Sequence, residues 1–171
     1  RDSLKSFGGV SRRLEFKGDL KINDKKIKLL DDYGHHPTEI SATVEAIKSS
    51  YKNKKINMIF QPHRYSRSSI LFNDFVDCLD SLDRIIILDI YSAGEQNTEG
   101  ISSYDFVNSL IKKGNKAFFA KNLKEISKIL ESEVKNNEIL ITQGAGNIVD
   151  ISNSLLAMYK WKKSSFFMEE T

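Results

Sequence analysis

Three short segments hold most of the side chains in this sequence that could do chemistry. They cover residues 31–37 (DDYGHHP), 61–67 (QPHRYSR) and 91–95 (YSAGE), and all three histidines of the chain fall within the first two. Each segment follows an apolar run that predicts a β-strand. In an open α/β sheet, ligands bind in the crevice beyond the carboxyl ends of the strands. We therefore expect the three segments to meet at neighbouring strand ends and to form one site.

The first segment combines two carboxylates with two imidazoles. Asp31 and Asp32 can accept hydrogen bonds from ribose hydroxyls, and His35 and His36 can bind a carboxylate or carry protons. The alternative is a capping turn, in which one of these side chains satisfies the free amides of a helix that starts at Pro37. Such a turn needs only one of the four, which favours a functional role for the others. A zinc site at the histidine pair is not expected, because adjacent side chains diverge and no further ligands complete four.

The second segment predicts a site for an anion. His63 is followed by Arg64 and Arg67, and the planar guanidinium matches the oxygens of a carboxylate or phosphate. If a helix begins near Tyr65, the two arginines lie three residues apart and can face the same anion. The alternative is that both arginines are merely solvated.

Weaker signals come from three other places. Arg12 and Arg13 precede the first predicted strand and are uninformative by themselves. Glu95 could meet an amine or a metal, although a mobile surface loop explains it equally well. Residues 143–147 (QGAGN) look like a phosphate-binding turn but lack the G-x-G-x-x-G spacing, so close helix–sheet packing is the preferred interpretation. No G-x-x-x-x-G-K-[ST] motif occurs in the sequence.

The periodicity of apolar residues predicts an α/β fold. Residues 12–21 and 27–31 alternate apolar and polar side chains around a polar turn at 23–26, which indicates an antiparallel hairpin. From Pro37 onward, helices and strands alternate, which requires a mostly parallel sheet. The predicted strands cover residues 56–60, 84–89, 117–119 and 139–141, and the predicted helices begin at 37 and cover 70–82, 104–112, 123–132 and 148–159.

Composition excludes several classes of protein. The 171 residues fit one domain of 1–160 with a tail of 161–171 that has no clear period. A net charge of +3 with scattered lysines gives no reason to expect a nucleic-acid partner, and no apolar stretch is long enough to span a membrane. Cys78 is the only cysteine and is expected to be a buried structural thiol, which favours a reducing, cytoplasmic setting. The chain begins with Arg1 rather than Met, and we expect it to be a piece of a longer polypeptide.

Together, five motifs closely resemble the C-terminal domain of the Mur ligases. They are residues 9–13 (GVSRR), 31–40 (DDYGHHPTEI), 60–67 (FQPHRYSR), 89–95 (DIYSAGE) and 143–148 (QGAGNI). They occur in the family's order, and the similarity extends to about residue 158. The resemblance implies a Rossmann-like three-layer domain. Tyr33 and Gly34 favour the branch that joins L-alanine to UDP-N-acetylmuramate, because the branch that recycles murein tripeptide usually reads DDFAHHP.

The resemblance implies an ATP-dependent ligase of three domains, of which only the third is present here. The muramate carboxylate would attack the γ-phosphate of ATP to form an acyl phosphate, which the amine of alanine then attacks. ATP and Mg²⁺ would be held mainly by the central domain, which is absent from this chain, so the chain alone is expected to be inactive. Its partners would be the UDP-binding and central domains of the same polypeptide.

The family pattern also implies roles for individual residues. Arg13 corresponds to the arginine that reaches the nucleotide phosphates, and Asp32 to the aspartate that holds the ribose, with Asp31 as the alternative. The residues expected around the incoming amino acid are Tyr33, His35, His63, Arg64 and Arg67. Arg67 is the natural partner of its carboxylate, Arg64 is a weaker member of the set, and no residue is expected to be catalytic or to bind a metal.

Two other functions stay open at this point. The chain could be a non-catalytic, flavodoxin-like domain that binds a nucleotide or acidic ligand in the same crevice. It could also belong to the tripeptide-recycling ligase. A stand-alone interaction module is disfavoured, because the polar residues gather at strand ends instead of forming an apolar patch.

Overall fold

The structure is a computed structural model and describes residues 12–160. The strands are β1 (Glu15–Ile22), β2 (Lys25–Asp32), β3 (Ile56–Phe60), β4 (Arg84–Ile87), β5 (Ala117–Phe119) and β6 (Ile139–Gln143). The helices are α1 (Pro37–Ser50), α2 (Tyr65–Ile70), α3 (Phe72–Asp80), α4 (Ser103–Lys112), α5 (Leu123–Glu133) and α6 (Ile148–Tyr159). The start of the 9–13 motif and the tail 161–171 lie outside the described residues.

The six strands form one sheet in the order β1-β2-β6-β3-β4-β5. The β1–β2 pair is antiparallel, and the other four pairs are parallel. This topology confirms the predicted α/β fold with its N-terminal hairpin. It also corrects one expectation, because β6 lies between β2 and β3. The segments 31–37 and 61–67 therefore follow strands that are not direct neighbours.

Apolar side chains cover both faces of the sheet and produce three layers. Along β6, Ile139 and Ile141 belong to one buried cluster and Leu140 to the other. The first cluster includes residues of α1, α3 and α4, and the second includes residues of α5 and α6. A parallel strand that is buried on both faces reads as a continuous apolar run, which is why the sequence predicts β6 and β4 so directly.

Several element boundaries differ from the prediction by one to three residues; β4, for example, ends at Ile87 rather than at residue 89. Two further differences are more informative. The single helix expected at 70–82 is instead α2 and α3, separated at Leu71, whose φ of −105° and ψ of 22° depart from helical geometry. No Gly or Pro marks this break, and Leu71 and Phe72 pack against the core there. Strand β6 continues two residues further than predicted, because Thr142 and Gln143 still pair with the end of β2.

Gly144 ends β6 at a point where two strands approach closely. Its φ is +146°, and a Cβ at this position would lie 2.8 Å from the backbone oxygen of Gln61. Only glycine fits both the conformation and the space.

We predict that Gly144→Ala lowers the free energy of unfolding by at least about 1 kcal/mol more than Gly114→Ala does. Gly114 also has a positive φ, of +95°, but a Cβ added there would have no atom within 4 Å, so this control measures conformational strain alone. Urea denaturation of both variants gives the difference. Equal losses would contradict a close contact at Gly144.

Candidate functional site

A buried ion pair closes the carboxyl end of β2. The Asp31 side chain is completely buried and accepts hydrogen bonds from Arg12 Nε at 2.8 Å and Thr142 Oγ1 at 2.6 Å. Arg12 also donates from Nη2 to the backbone oxygen of Gly144 at 2.7 Å. No sign of a role for Arg12 was visible in the sequence. In the structure, its side chain connects the segment before β1 to β2 and to the end of β6. Asp31 is too deeply buried to meet a ligand.

Asp32 borders an open cleft. Its Oδ1 accepts from the Gly34 amide at 2.8 Å and from Gln143 Nε2 at 2.7 Å, while Oδ2 accepts from the Leu14 amide at 2.8 Å. The cleft has a volume of about 420 Å³, and exposed Arg13 lies on its wall. The two residues assigned to the nucleotide thus line the same cleft.

The aromatic rings of the three predicted segments form a continuous row. The ring centroids of His35 and His63 are 5.5 Å apart. Tyr33 meets His35 edge-on at 5.5 Å, and Tyr91 stacks on His63 at 5.4 Å with an interplanar angle of 18°. The predicted convergence of the three segments is therefore confirmed, even though β6 lies between β2 and β3.

The two arginines of the second segment have different partners. Arg67 Nη1 lies 3.2 Å from the backbone oxygen of His63 and 3.3 Å from its Nδ1. Arg64 has a positive φ of 71°, and its guanidinium lies 4.0 Å from Glu95 Oε1. Helix α2 does begin at Tyr65, as the prediction required, but of the two arginines Arg67 is the one within hydrogen-bond distance of His63.

Glu95 holds the loop after β4 against the start of α2. Its carboxylate accepts from the Ser66 amide at 3.1 Å and from Ser66 Oγ at 2.8 Å. The sequence left two interpretations of Glu95 open, a partner for an amine or a metal and a residue of a mobile loop. The contacts with Ser66 match neither of them.

His36 acts as a helix cap, which was the structural alternative for this segment. Its Nδ1 accepts a hydrogen bond from the Thr38 amide at 3.3 Å, and Glu39 accepts from the His36 amide at 3.0 Å and the His35 amide at 2.9 Å. Burial tends to raise the pKa of Glu39, but these amide hydrogen bonds outweigh it and leave the pKa lowered. Capping by His36 and Glu39 thus fixes the turn that presents His35.

The pKa of His63 is lowered from the usual 6.5. Burial of the imidazole is the main cause, and the positive charges of His35, Arg67 and Arg64 add to it. His63 is therefore neutral at neutral pH. A neutral imidazole among cationic groups can accept a hydrogen bond without adding charge.

Sequence reasoning missed two residues of this region. Tyr91 stacks on His63, and Gly146 makes room for it, because a Cβ on Gly146 would lie 2.9 Å from the Tyr91 ring. Gln143 lies under the site and donates to Asp32 and to the Gly34 backbone oxygen, both at 2.7 Å. The sequence signal for Gln143 was its position beside the end of a predicted strand, and that for Tyr91 was its place at the start of the third predicted segment.

Three further findings concern residues 12–160. In that range no group of three or more His, Cys, Asp or Glu side chains is placed to hold a metal ion. Cys78 is half-buried rather than fully buried as expected, and burial raises the pKa of its thiol to about 12, which disfavours the reactive thiolate. No helix in the same range is long and apolar enough to cross a membrane.

The chain belongs to the Mur ligase family. Residues 12–146 match the family model described as "Mur ligase, glutamate ligase domain". The chain is similar to the UDP-N-acetylmuramate–L-alanine ligase of Brachyspira hyodysenteriae, with 44% identity over 90% of this chain and 32% of the relative. It is 45% identical to the ligase of the same name from Agathobacter rectalis, with the same coverage. The chain therefore spans about a third of the length of these relatives.

Solved structures share the fold of this chain. The UDP-N-acetylmuramate–alanine ligase of Thermotoga maritima matches with a TM-score of 0.68 and 29% identity, over 91% of this chain and 31% of that one. A murein peptide ligase from Psychrobacter arcticus has the same fold, with a TM-score of 0.70 at 20% identity and the same coverage. A domain of a ligase from Haemophilus ducreyi, at 22% identity and a TM-score of 0.61, is covered over 98% of its length by 85% of this chain.

We predict that His63 titrates below pH 6.5 and that Arg67→Ala raises its titration midpoint, because a neighbouring positive charge is removed. Since the folded pKa is lowered, the contribution of His63 to stability is present above pH 6.5 and is lost as the pH falls through the folded pKa. NMR titration of the histidine ring protons measures both midpoints. Arg67→Lys is the control that keeps the charge, and an unchanged midpoint in Arg67→Ala would contradict the contact.

Proposed function

We propose that this chain is the C-terminal domain of an ATP-dependent ligase that joins L-alanine to UDP-N-acetylmuramate in peptidoglycan biosynthesis. The domain would cover residues 1–160, with 161–171 as a tail. The observation that carries the proposal is that the His35–His63 pair and Arg67 meet beside the cleft of Asp32 in a member of the Mur ligase family. The names of relatives at 44% and 45% identity support the choice of substrates.

The histidine row is the proposed binding site for the amino acid. Arg67 would bind the carboxylate of alanine, with Arg64 further out beside Glu95. Once Arg67 turns to that carboxylate, His63 Nδ1 would lose its contact with the guanidinium and could accept a hydrogen bond from the incoming amine. Tyr33 and His35 would enclose the small side chain from the first segment.

The cleft beside β2 is the proposed contact with the nucleotide. Asp32 Oδ2 accepts only one hydrogen bond among the contacts of residues 12–160, so it retains a lone pair for a ribose hydroxyl. Arg13 is exposed on the same wall and would reach the phosphates. Both residues can serve ATP only when the rest of its binding site is supplied from elsewhere.

The proposed chemistry occurs in two balanced steps. The muramate carboxylate attacks the γ-phosphorus of ATP, and ADP leaves. The neutral amine of alanine then attacks the acyl-phosphate carbonyl, phosphate leaves, and the nitrogen releases one proton to solvent. Residues 12–160 offer no cluster of metal ligands, and we propose that Mg²⁺ is held by the central domain. The contribution of this chain would be to orient alanine and to exclude water from the acyl phosphate.

In the intact polypeptide that carries this domain, we predict that Arg67→Ala raises KM for alanine at least about tenfold, with a much smaller change in KM for ATP. Arg13→Ala should show the opposite pattern, because it lines the nucleotide cleft. Steady-state kinetics with each substrate varied in turn give both values. An unchanged KM for alanine in Arg67→Ala would remove Arg67 from this role.

We predict that the 171-residue chain alone forms no product and binds ATP or ADP only weakly, because half of the nucleotide site is missing. The Haemophilus ducreyi domain of similar extent supports the expectation that such a unit folds by itself. Calorimetric titration tests the affinity, and tight binding would favour the flavodoxin-like alternative. Supplying the intact enzyme with alanine or with murein tripeptide distinguishes the two ligase branches.

A further inference from the structure

The side-chain amide of Gln143 connects the two halves of the site. Gln143 is completely buried at the end of β6. Its Nε2 donates to Asp32 Oδ1 and to the Gly34 backbone oxygen, both at 2.7 Å. One bond holds the carboxylate of the nucleotide cleft, and the other holds the turn that presents Tyr33 and His35. We propose that Gln143 is a positioning residue for both, an inference that rests on the proposed function.

The orientation of this amide is fixed by its neighbours. If the amide were flipped, Oε1 would face the Asp32 carboxylate and the Gly34 carbonyl, which are both acceptors. The observed orientation avoids this repulsion but leaves Gln143 Oε1 buried with no hydrogen-bond partner among residues 12–160. An apolar core position would have no such unpaired atom. The arrangement is therefore better explained by the two groups that Nε2 holds than by packing alone.

Gly34 leaves no free space around the amide. A Cβ on Gly34 would lie 2.8 Å from both Gln143 Nε2 and Asp32 Oδ1, and 3.0 Å from the Glu39 Cβ. Any side chain at position 34 must therefore displace the amide or the carboxylate. Gly34→Ala disturbs the same three-way contact without changing residue 143.

The bonds of Asp32 show what loss of the amide would do. Without Gln143, the carboxylate keeps the amides of Leu14 and Gly34 and a longer bond of 3.3 Å from Thr43 Oγ1. The carboxylate remains partly satisfied but can rotate, and the Gly34 oxygen loses the donor from β6. The expected defect is thus in orientation toward ligands, in addition to any loss of stability.

The test uses the intact polypeptide and Gln143→Met, which keeps the side-chain volume and removes both N–H donors. We expect KM for ATP to rise about tenfold, with a smaller rise in KM for alanine and no change in KM for UDP-N-acetylmuramate. Gly34→Ala should change the same parameters in the same direction.

The matched control is Asn57→Leu, which removes another buried amide at the opposite end of the sheet, where Asn57 Nδ2 donates to Glu138 at 3.0 Å. Both proteins are compared by melting temperature and assayed where they are folded. An unchanged KM for ATP in Gln143→Met, or an equal rise in Asn57→Leu, would overturn the inference. If the unmodified polypeptide makes no product from ATP, alanine and UDP-N-acetylmuramate, the proposed function fails instead.

Gln143→Glu provides a second readout that simple loss of packing would not produce. When protonated, the introduced carboxyl can donate one hydrogen bond to Asp32; when ionised, it repels Asp32. The ratio of KM for ATP in this variant to that of the parent should therefore fall as the pH is lowered, while that of Gln143→Met stays constant. A pH-independent ratio in Gln143→Glu would contradict the role assigned to the amide.

Discussion

Two buried carboxylates at the end of β2 impose the main constraint on this domain. A carboxylate that leaves water is costly unless charges or hydrogen-bond donors replace its hydration. Asp31 accepts hydrogen bonds from Arg12 and Thr142, and Asp32 accepts them from the Leu14 amide and Gln143. These donors come from the start of the domain and from β6. Satisfying the carboxylates therefore brings three separate parts of the chain together at the carboxyl ends of β2 and β6.

The same hydrogen bonds that satisfy the carboxylates also hold the residues of the candidate site. Gly34 donates its amide to Asp32 and begins the turn that places His35 against His63. The turn then ends in the capping interactions of His36 and Glu39 at the start of α1. A rigid scaffold of backbone and buried polar contacts thus presents a row of rings at the surface, as a preformed binding site requires.

The charges around the row of rings favour an anionic ligand. His35, His63, Arg64 and Arg67 gather there. The opposing charges are Glu95, which accepts hydrogen bonds from Ser66, and Glu39, which lies 3.9 Å from His35 Nδ1. Burial, together with the neighbouring positive charges, lowers the pKa of His63, so the site combines guanidinium charge with a neutral imidazole. Under the proposed function, the guanidinium charge would bind the carboxylate of the amino acid. A buried network of Arg84, Asn57 and Glu138 lies at the opposite, amino ends of β3 and β4, where its hydrogen bonds hold the strands together.

The fold class, most element boundaries, the family and the set of polar segments were all predictable from the sequence. Apolar periodicity reports burial directly, and motifs such as DDYGHHPTEI keep their order along the chain. The position of β6 between β2 and β3 emerged only from the folded chain, since strand order depends on crossovers that periodicity does not encode. The sequence pattern indicated only packing at Gln143 and no role for Arg12, because their partners are distant along the chain. Gln143 bonds to Asp32, 111 residues away, and Arg12 bonds to Asp31, 19 residues away. The sequence also could not show which of His35 and His36 caps the helix, because adjacent residues do not reveal where their side chains point. In the structure, His36 is the cap and His35 lies beside His63.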